Sequence, residues 1–326
     1  MDFALSETSR DVQQAVGRWV DKQQRLGRVD AFDKARWESF VGLGLLDTDA
    51  DTLFDRCVGL IEAARAGLPG PVLEAQMALL VDKSGRAAAA LEKGQLVSSV
   101  YPGAAGPTLV GWGGAADLVF DQSSGRVVAE APLPAGKFSY PVPHGWYDRV
   151  ASSVSDANAP ARWMYGAALL SGLCLGALEV TANYVKVREQ FGNPLAAYQA
   201  VQFPLAEAKV LADGVHLSAL DAALRVQHGR SHASVTAALA WLAATQTAER
   251  VTRVCHQAFG AFGFCYESGL VDLTWGMSWL RLTIGNKGAQ KFLTASRRLG
   301  RELQAGNAPG CLVLEGFADV GNPAGA

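Results

Sequence analysis

The 326-residue sequence has little charge: 18% of its residues are charged, and the formal net charge is -2. It therefore lacks the basic footprint that marks a nucleic-acid-binding surface. Cysteine is sparse and unpatterned. Cys57, Cys174, Cys255, Cys265 and Cys311 are scattered, odd in number and free of any CxxC. That excludes a disulfide framework or a zinc site and reads as buried free thiols in a reducing cytoplasm. Long uninterrupted apolar runs are missing too. Trp163–Leu178 and Ala233–Ala248 fall short of the roughly 20 residues that a membrane span needs, and Gly and Pro break up Gly94–Ala116. No membrane span is expected. Met1–Arg10 carries acids and no apolar run, so no secretory signal is read there. Gly111–Gly114 and Gly260–Gly263 do not fit a dinucleotide loop or a P-loop, and no Gly-x-Ser-x-Gly elbow occurs. What the chain has in quantity is apolar side chain, 49% of all residues, which excludes wholesale disorder.

The texture changes along the chain. Residues 1–90 read as helical. Ser6 is placed to cap a helix through Val12, Val16, Trp19 and Val20, and Asp30 to start another carrying Phe32, Trp37 and Phe40. Asp47, Asp49 and Asp51 precede Leu53, as carboxylates at a helix N-terminus do, and no histidine lies near them to suggest a metal site. Gly67–Pro71 breaks the pattern before the helical run Val72–Val81. Residues 91–152 lose the helical period. Short runs at Leu96–Val100, Leu118–Phe120 and Val127–Ala129 between glycines and prolines read as a small β region. Residues 153–305 return to long helices: Trp163–Glu189, Leu205–Leu224, Ala233–Phe259, Leu270–Leu282 and Gly288–Leu303. Their apolar and Ala-rich faces predict a packed bundle. Residues 306–326 form a Gly- and Pro-containing tail. His228 and His232 flank Gly229-Arg230-Ser231 and read as a turn between helices rather than a ligand pair. Arg297, Arg298 and Arg301 read as a solvated helix face.

Two segments carry functional chemistry. The first runs Arg188-Glu189-Gln190-Phe191-Gly192-Asn193-Pro194-Leu195 and on to Tyr198-Gln199. It reads as a helix end, a turn and a new helix start. Arginine suits a pyrophosphate, and amides suit adenine or ribose edges. An ion pair of Arg188 with Glu189, or with a helix C-terminus, would use the same residue structurally. The second is His256-Gln257-Ala258-Phe259-Gly260-Ala261-Phe262-Gly263-Phe264, then Tyr266-Glu267. Its glycines allow either close backbone approach to a ligand or a simple helix cap.

Together, over about residues 156–282, these segments resemble the acyl-CoA dehydrogenase family. Its C-terminal domain carries Arg-x-x-Phe-Gly with a Gln eleven residues after the Arg, then Gln-x-x-Gly-Gly-x-Gly-Phe followed by Glu. Ala261 stands where the family has its second glycine. The resemblance implies a mainly α fold: an N-terminal helical domain, a reduced middle β domain and a C-terminal helical bundle. In the family the flavin ring lies between the β domain and the bundle of one subunit, and the neighbouring subunit's bundle holds the ADP half. The resemblance thus assigns FAD binding to Arg188, Gln190, Phe191, Gln199, Gln257 and Gly260.

The family's catalytic glutamate has no counterpart. Leu273–Arg301 contains neither Asp nor Glu, and the expected place, Leu282–Gly285, reads Leu-Thr-Ile-Gly. The carboxylate candidates that remain are Asp156 and Glu267. The family's Thr-Glu-Pro-x-Ala-Gly-Ser-Asp segment beside the flavin is also unmatched, and the chain is shorter than usual for the family. Some bacterial members pair a full-length subunit with a shortened one in α2β2 assemblies, several acting on CoA thioesters of steroid side chains or ring fragments. The chain resembles the shortened subunit. The implied role is a cytoplasmic subunit that shares FAD with a full-length partner supplying the glutamate, while its own corresponding site stays without flavin. The alternatives are a homo-oligomeric enzyme with a displaced base, a non-catalytic assembly subunit and an unrelated all-α regulatory protein.

Overall fold

The computed structural model describes residues 5–26, 33–102, 105–134, 143–149 and 157–304. The N-terminal part is helical: α1 (Glu7–Leu26), α2 (Lys34–Val41), α3 (Leu53–Ala64), α4 (Val72–Val81) and α5 (Arg86–Glu92). Ser6 caps α1, its hydroxyl accepting the Ser9 amide at 3.0 Å. The cap of α2 is Asp33, which accepts the Arg36 amide at 3.1 Å; the expected start at Asp30 and Phe32 lies outside the described residues. Trp37 stacks on Phe40 with ring centroids 5.8 Å apart, and Trp19 packs against the same ring. The acids before α3 bind loop amides rather than the helix. Asp47 accepts from Thr48 and Asp49 from Asp51, while the Arg56 guanidinium donates to the Asp47 and Asp49 carbonyls. Among the described residues no group of three or more His, Cys, Asp and Glu is placed to hold a metal.

Two small sheets follow. Strands β1 (Val97–Val100), β3 (Leu118–Asp121) and β4 (Arg126–Ala129) form one, with β1 parallel to β3 and β3 antiparallel to β4. Strands β2 (Gly106–Val110) and β5 (Gly145–Arg149) pair antiparallel in the other. β1 is buried along its whole length. Its two serines are satisfied there: Ser98 donates to the Gly111 carbonyl at 2.6 Å and Ser99 to the Glu74 carbonyl at 2.7 Å.

The bundle comprises α6 (Ala159–Val187), α7 (Gln199–Gln227), α8 (Ala233–Phe259), α9 (Leu270–Ile284) and α10 (Lys287–Gln304). Helix α6 is its axis. Gly172 and Gly176 lie against the backbone of Ile61 and Arg65, so α6 rests on α3 at a distance that no side chain would permit. Gly166 gives the same close fit to Trp241 and Ile284. Contrary to the expectation from its apolar stretch, α6 is long and apolar enough to cross a membrane, but 83% of its most apolar window is buried inside the fold. It is the core helix of a bundle. His228 ends α7 and His232 precedes α8, so both sit at the turn between helices. Cys57, Cys174 and Cys255 are buried free thiols, and burial pushes the Cys57 thiol up to about 12. Cys265 departs from the expectation: it is exposed, in the short turn after α8. Cys311 and the segment 306–326 lie outside the described residues.

Candidate functional site

The bundle's connectivity decides which helix ends meet. Helices α6 and α8 run parallel: the Cys255 thiol faces the Ala177 carbonyl, and one level on Tyr184 stacks on Phe259, centroids 4.1 Å apart and planes 11° apart. Phe262 joins this stack. Helix α7 runs the other way, its Glu207 pairing with Arg250 of α8 at 2.9 Å. The C-terminal ends of α6 and α8 and the N-terminal end of α7 therefore share one end of the bundle.

All six residues assigned to FAD binding sit at this end. Arg188 is the C-cap of α6. It leads into a tiny hairpin, β6 (Glu189–Gln190) and β7 (Asn193–Pro194). Phe191 at φ 53 and Gly192 at φ 81 form its two-residue turn, the left-handed pair that tight hairpins require. The Leu195 amide donates to the Arg188 carbonyl at 2.8 Å. The Tyr198 hydroxyl donates to the Gln190 carbonyl at 2.9 Å, fastening the hairpin to α7. Gln199 is the first residue of α7. Gln257 lies on the last turn of α8. Gly260 ends that helix at φ 62, ψ -144, a conformation essentially reserved for glycine.

These groups face outward. Phe191 is 91% exposed. Arg188, Gln190, Gln199, Gln257 and Gly260 are exposed as well. Among the described residues none of the four polar side chains forms a hydrogen bond or an ion pair, so Arg188 is not paired with Glu189. A Cβ on Gly260 would meet nothing within 4 Å. A fork of guanidinium donors, three free amides, a bare aromatic ring and a patch of uncovered backbone suit a diphosphate joined to a purine nucleoside.

Carboxylate chemistry is absent from the place where the family keeps it. Leu282 is 79% exposed, Ile284 packs on Gly166, and Gly285 closes α9 at φ 66. Glu267 is exposed in a short turn, Tyr266–Ser268. Asp156 lies outside the described residues. One acid that the sequence reading passed over is Glu74 of α4, 2% exposed. The Trp279 indole nitrogen donates to its carboxyl at 3.1 Å, and burial pushes that carboxyl up to about 7. A glutamate inside the apolar run Val72–Val81 was the available signal. It was lost because the run reads equally well as an amphipathic face. Trp279 itself is core at 8% exposed, and Trp275 is half-buried against Tyr266.

A mainly helical chain with a small β layer and this bundle end has the architecture of an acyl-CoA dehydrogenase. Residues 154–295 match the family described as acyl-CoA dehydrogenase, C-terminal domain. Among curated relatives it is similar to acyl-CoA dehydrogenase FadE34 of Mycobacterium tuberculosis, 29% identical over 276 residues, which are 74% of this chain and 38% of that one. The chain spans less than two fifths of the length of the curated relatives it matches first. Among solved structures it superposes on the ChsE4-ChsE5 complex from Mycobacterium tuberculosis with a TM-score of 0.71 at 21% identity, covering 95% of this chain and 100% of that one. It also superposes on the Tcur3481-Tcur3483 steroid ACAD with a TM-score of 0.69 at 20% identity, covering 93% and 99%. At these identities the structures show the shared fold.

Proposed function

We propose that the chain is one subunit of an FAD-dependent acyl-CoA dehydrogenase complex that removes the α and β hydrogens of an acyl-CoA thioester. It contributes the surface that binds the ADP half of FAD, and a full-length partner subunit supplies the catalytic glutamate. The observation that carries this reading is a contrast within one bundle. The family's ADP-binding residues are present, gathered at one end, exposed and unpartnered, while the segment that should hold the base has no acid from Leu273 to Arg301. Arg188 would hold the pyrophosphate, Gln190, Gln199 and Gln257 the nucleoside edges, Phe191 the face of a ring, and Gly260 would let backbone approach. FAD, when bound, accepts the β-hydrogen as hydride; the chain's own residues hold and orient its ADP half.

Two structural neighbours support a paired assembly. ChsE4-ChsE5 is by its own description a complex, and the other carries the double name Tcur3481-Tcur3483 and is described as a steroid ACAD. We extend both features to this chain: an α2β2 heteromer, with a steroid side-chain or ring-fragment CoA thioester as the substrate. The part of FadE34 outside the match is longer than this whole chain, which leaves room there for a second unit.

The test is flavin content and oligomeric state, with the chain purified alone and with a co-expressed full-length homologue. Colourless alone and yellow in a complex is the expected result. A yellow chain that dehydrogenates acyl-CoA without a partner overturns the reading in favour of a homo-oligomer with a displaced base, Glu267 or Asp156.

A further inference from the structure

The junction between the β layer and the bundle, where the family resemblance places the flavin ring, is filled in this chain by its own side chains. Trp279 of α9 projects across it. Its ring lies directly on Gly111, so that a Cβ at that glycine would run into the indole. Gly111 is held in place by the Ser98 hydroxyl, which donates to its carbonyl at 2.6 Å. His144, just before β5, stacks on Trp279 with centroids 4.4 Å apart and planes 26° apart. The indole N–H is spent on Glu74 at 3.1 Å. Trp112, Trp279 and His144 are each at most 8% exposed. The three layers of the molecule thus close on one indole, fixed by a stack on one side, a hydrogen bond on its edge and a glycine beneath it.

We infer that Trp279 is a built-in plug of this chain's own flavin-ring site. The residues at the junction do not fit an isoalloxazine ring, whereas those at the exposed bundle end do fit the ADP half. This rests on the proposed function and adds to it. What is added is the group that closes the site: the indole occupies the junction and accounts for the flavin-free site, and so for the one FAD per pair of subunits, that the resemblance implies. Glu74 and His144 are positioning residues, acting through the indole.

The test combines the FAD content of the co-purified pair with binding of lumiflavin, the flavin ring without its ADP tail, to the full chain. One FAD per pair, with no lumiflavin taken up by the unmodified chain, is expected. Two FAD per pair overturns the plug. So does lumiflavin uptake by the unmodified chain that quenches fluorescence missing from Trp279→Phe. In Trp279→Gly, lumiflavin uptake is expected to rise from none to one equivalent per chain; a folded variant that takes up none shows that the indole is not what closes the site. Should that variant not fold, the FAD ratio of the unmodified pair decides. A pair that does not assemble, or assembles colourless, strikes at the proposed function, while the lumiflavin titration still tests the plug.

Discussion

At the scale of single residues, the chain separates groups kept for contact from groups kept for packing. Arg188 belongs to the first kind. It is exposed and its side chain has no partner among the described residues, so Arg188→Ala is expected to leave the unfolding midpoint of the isolated chain nearly unchanged. If Arg188 holds the pyrophosphate in the proposed complex, the same change would remove a charge-assisted contact worth about 1.5–3 kcal/mol, and FAD should bind roughly 10–100-fold more weakly. Flavin titration of the apo complex checks this. If thermal stability of the chain alone falls instead, Arg188 is a structural residue.

Glu74 belongs to the second kind, and its sign can be worked out. Burial raises its pKa from 4.5 to about 7, so the fold favours the neutral acid. The resulting stabilisation is complete below the unfolded value and is lost as pH rises from about 4.5 through 7. His144, its pKa lowered by burial, acts in the opposite sense and loses stability as pH falls. Comparison with Glu74→Gln removes the histidine's contribution. Between pH 5 and pH 8 the wild type should lose about 2–3 kcal/mol more unfolding free energy than the variant. Urea unfolding at the two pH values measures it, and parallel losses would mean that Glu74 stays ionised throughout.

At the scale of elements, small residues set the distances between helices. Gly172 lets α6 touch the carbonyl of Ile61 and the methyl of Ala64. Gly172→Ala forces α6 away from α3 and should cost about 1–3 kcal/mol by overpacking, seen as a lowered thermal midpoint. Gly260 works differently. A side chain there meets no atom within 4 Å, but its backbone conformation excludes one, so Gly260→Ala should cost about 1–3 kcal/mol through strain alone. The helical elements were largely legible. Ala233–Phe259 is the observed α8, and Val72–Val81 the observed α4, because apolar spacing and flanking glycines mark both ends. Strands β2 and β5 were not. Gly106-Pro107 and Gly145 look like breakers, and the strands exist only because they pair at sequence separations of 35 to 43 residues. The hairpin at Phe191–Gly192 was legible as a turn, since Gly-Asn-Pro ends a helix, but not as a paired pair of strands.

At the scale of the whole molecule, three strongly exposed apolar residues lie at the bundle end: Val187 at 77%, Phe191 at 91% and Phe264 at 72%. Apolar surface of this kind marks an interaction face. The chain alone should bind the hydrophobic dye ANS and self-associate in sedimentation. ANS fluorescence per chain should drop when the partner is co-purified, and an undiminished signal would place the partner elsewhere.

The sequence by itself determined the helical architecture, the two segments that resemble the family's motifs and the absence of an acid across Leu273–Arg301, because these depend on local period, turn chemistry and plain composition. Only the tertiary structure decided where those residues lie relative to one another. It brought Arg188, Gln199 and Gln257 to one end, since helix direction, not sequence distance, sets which ends meet. It also drove Trp279 between Gly111, His144 and Glu74, residues separated by up to 205 positions, because filling that space at core density required side chains from all three layers.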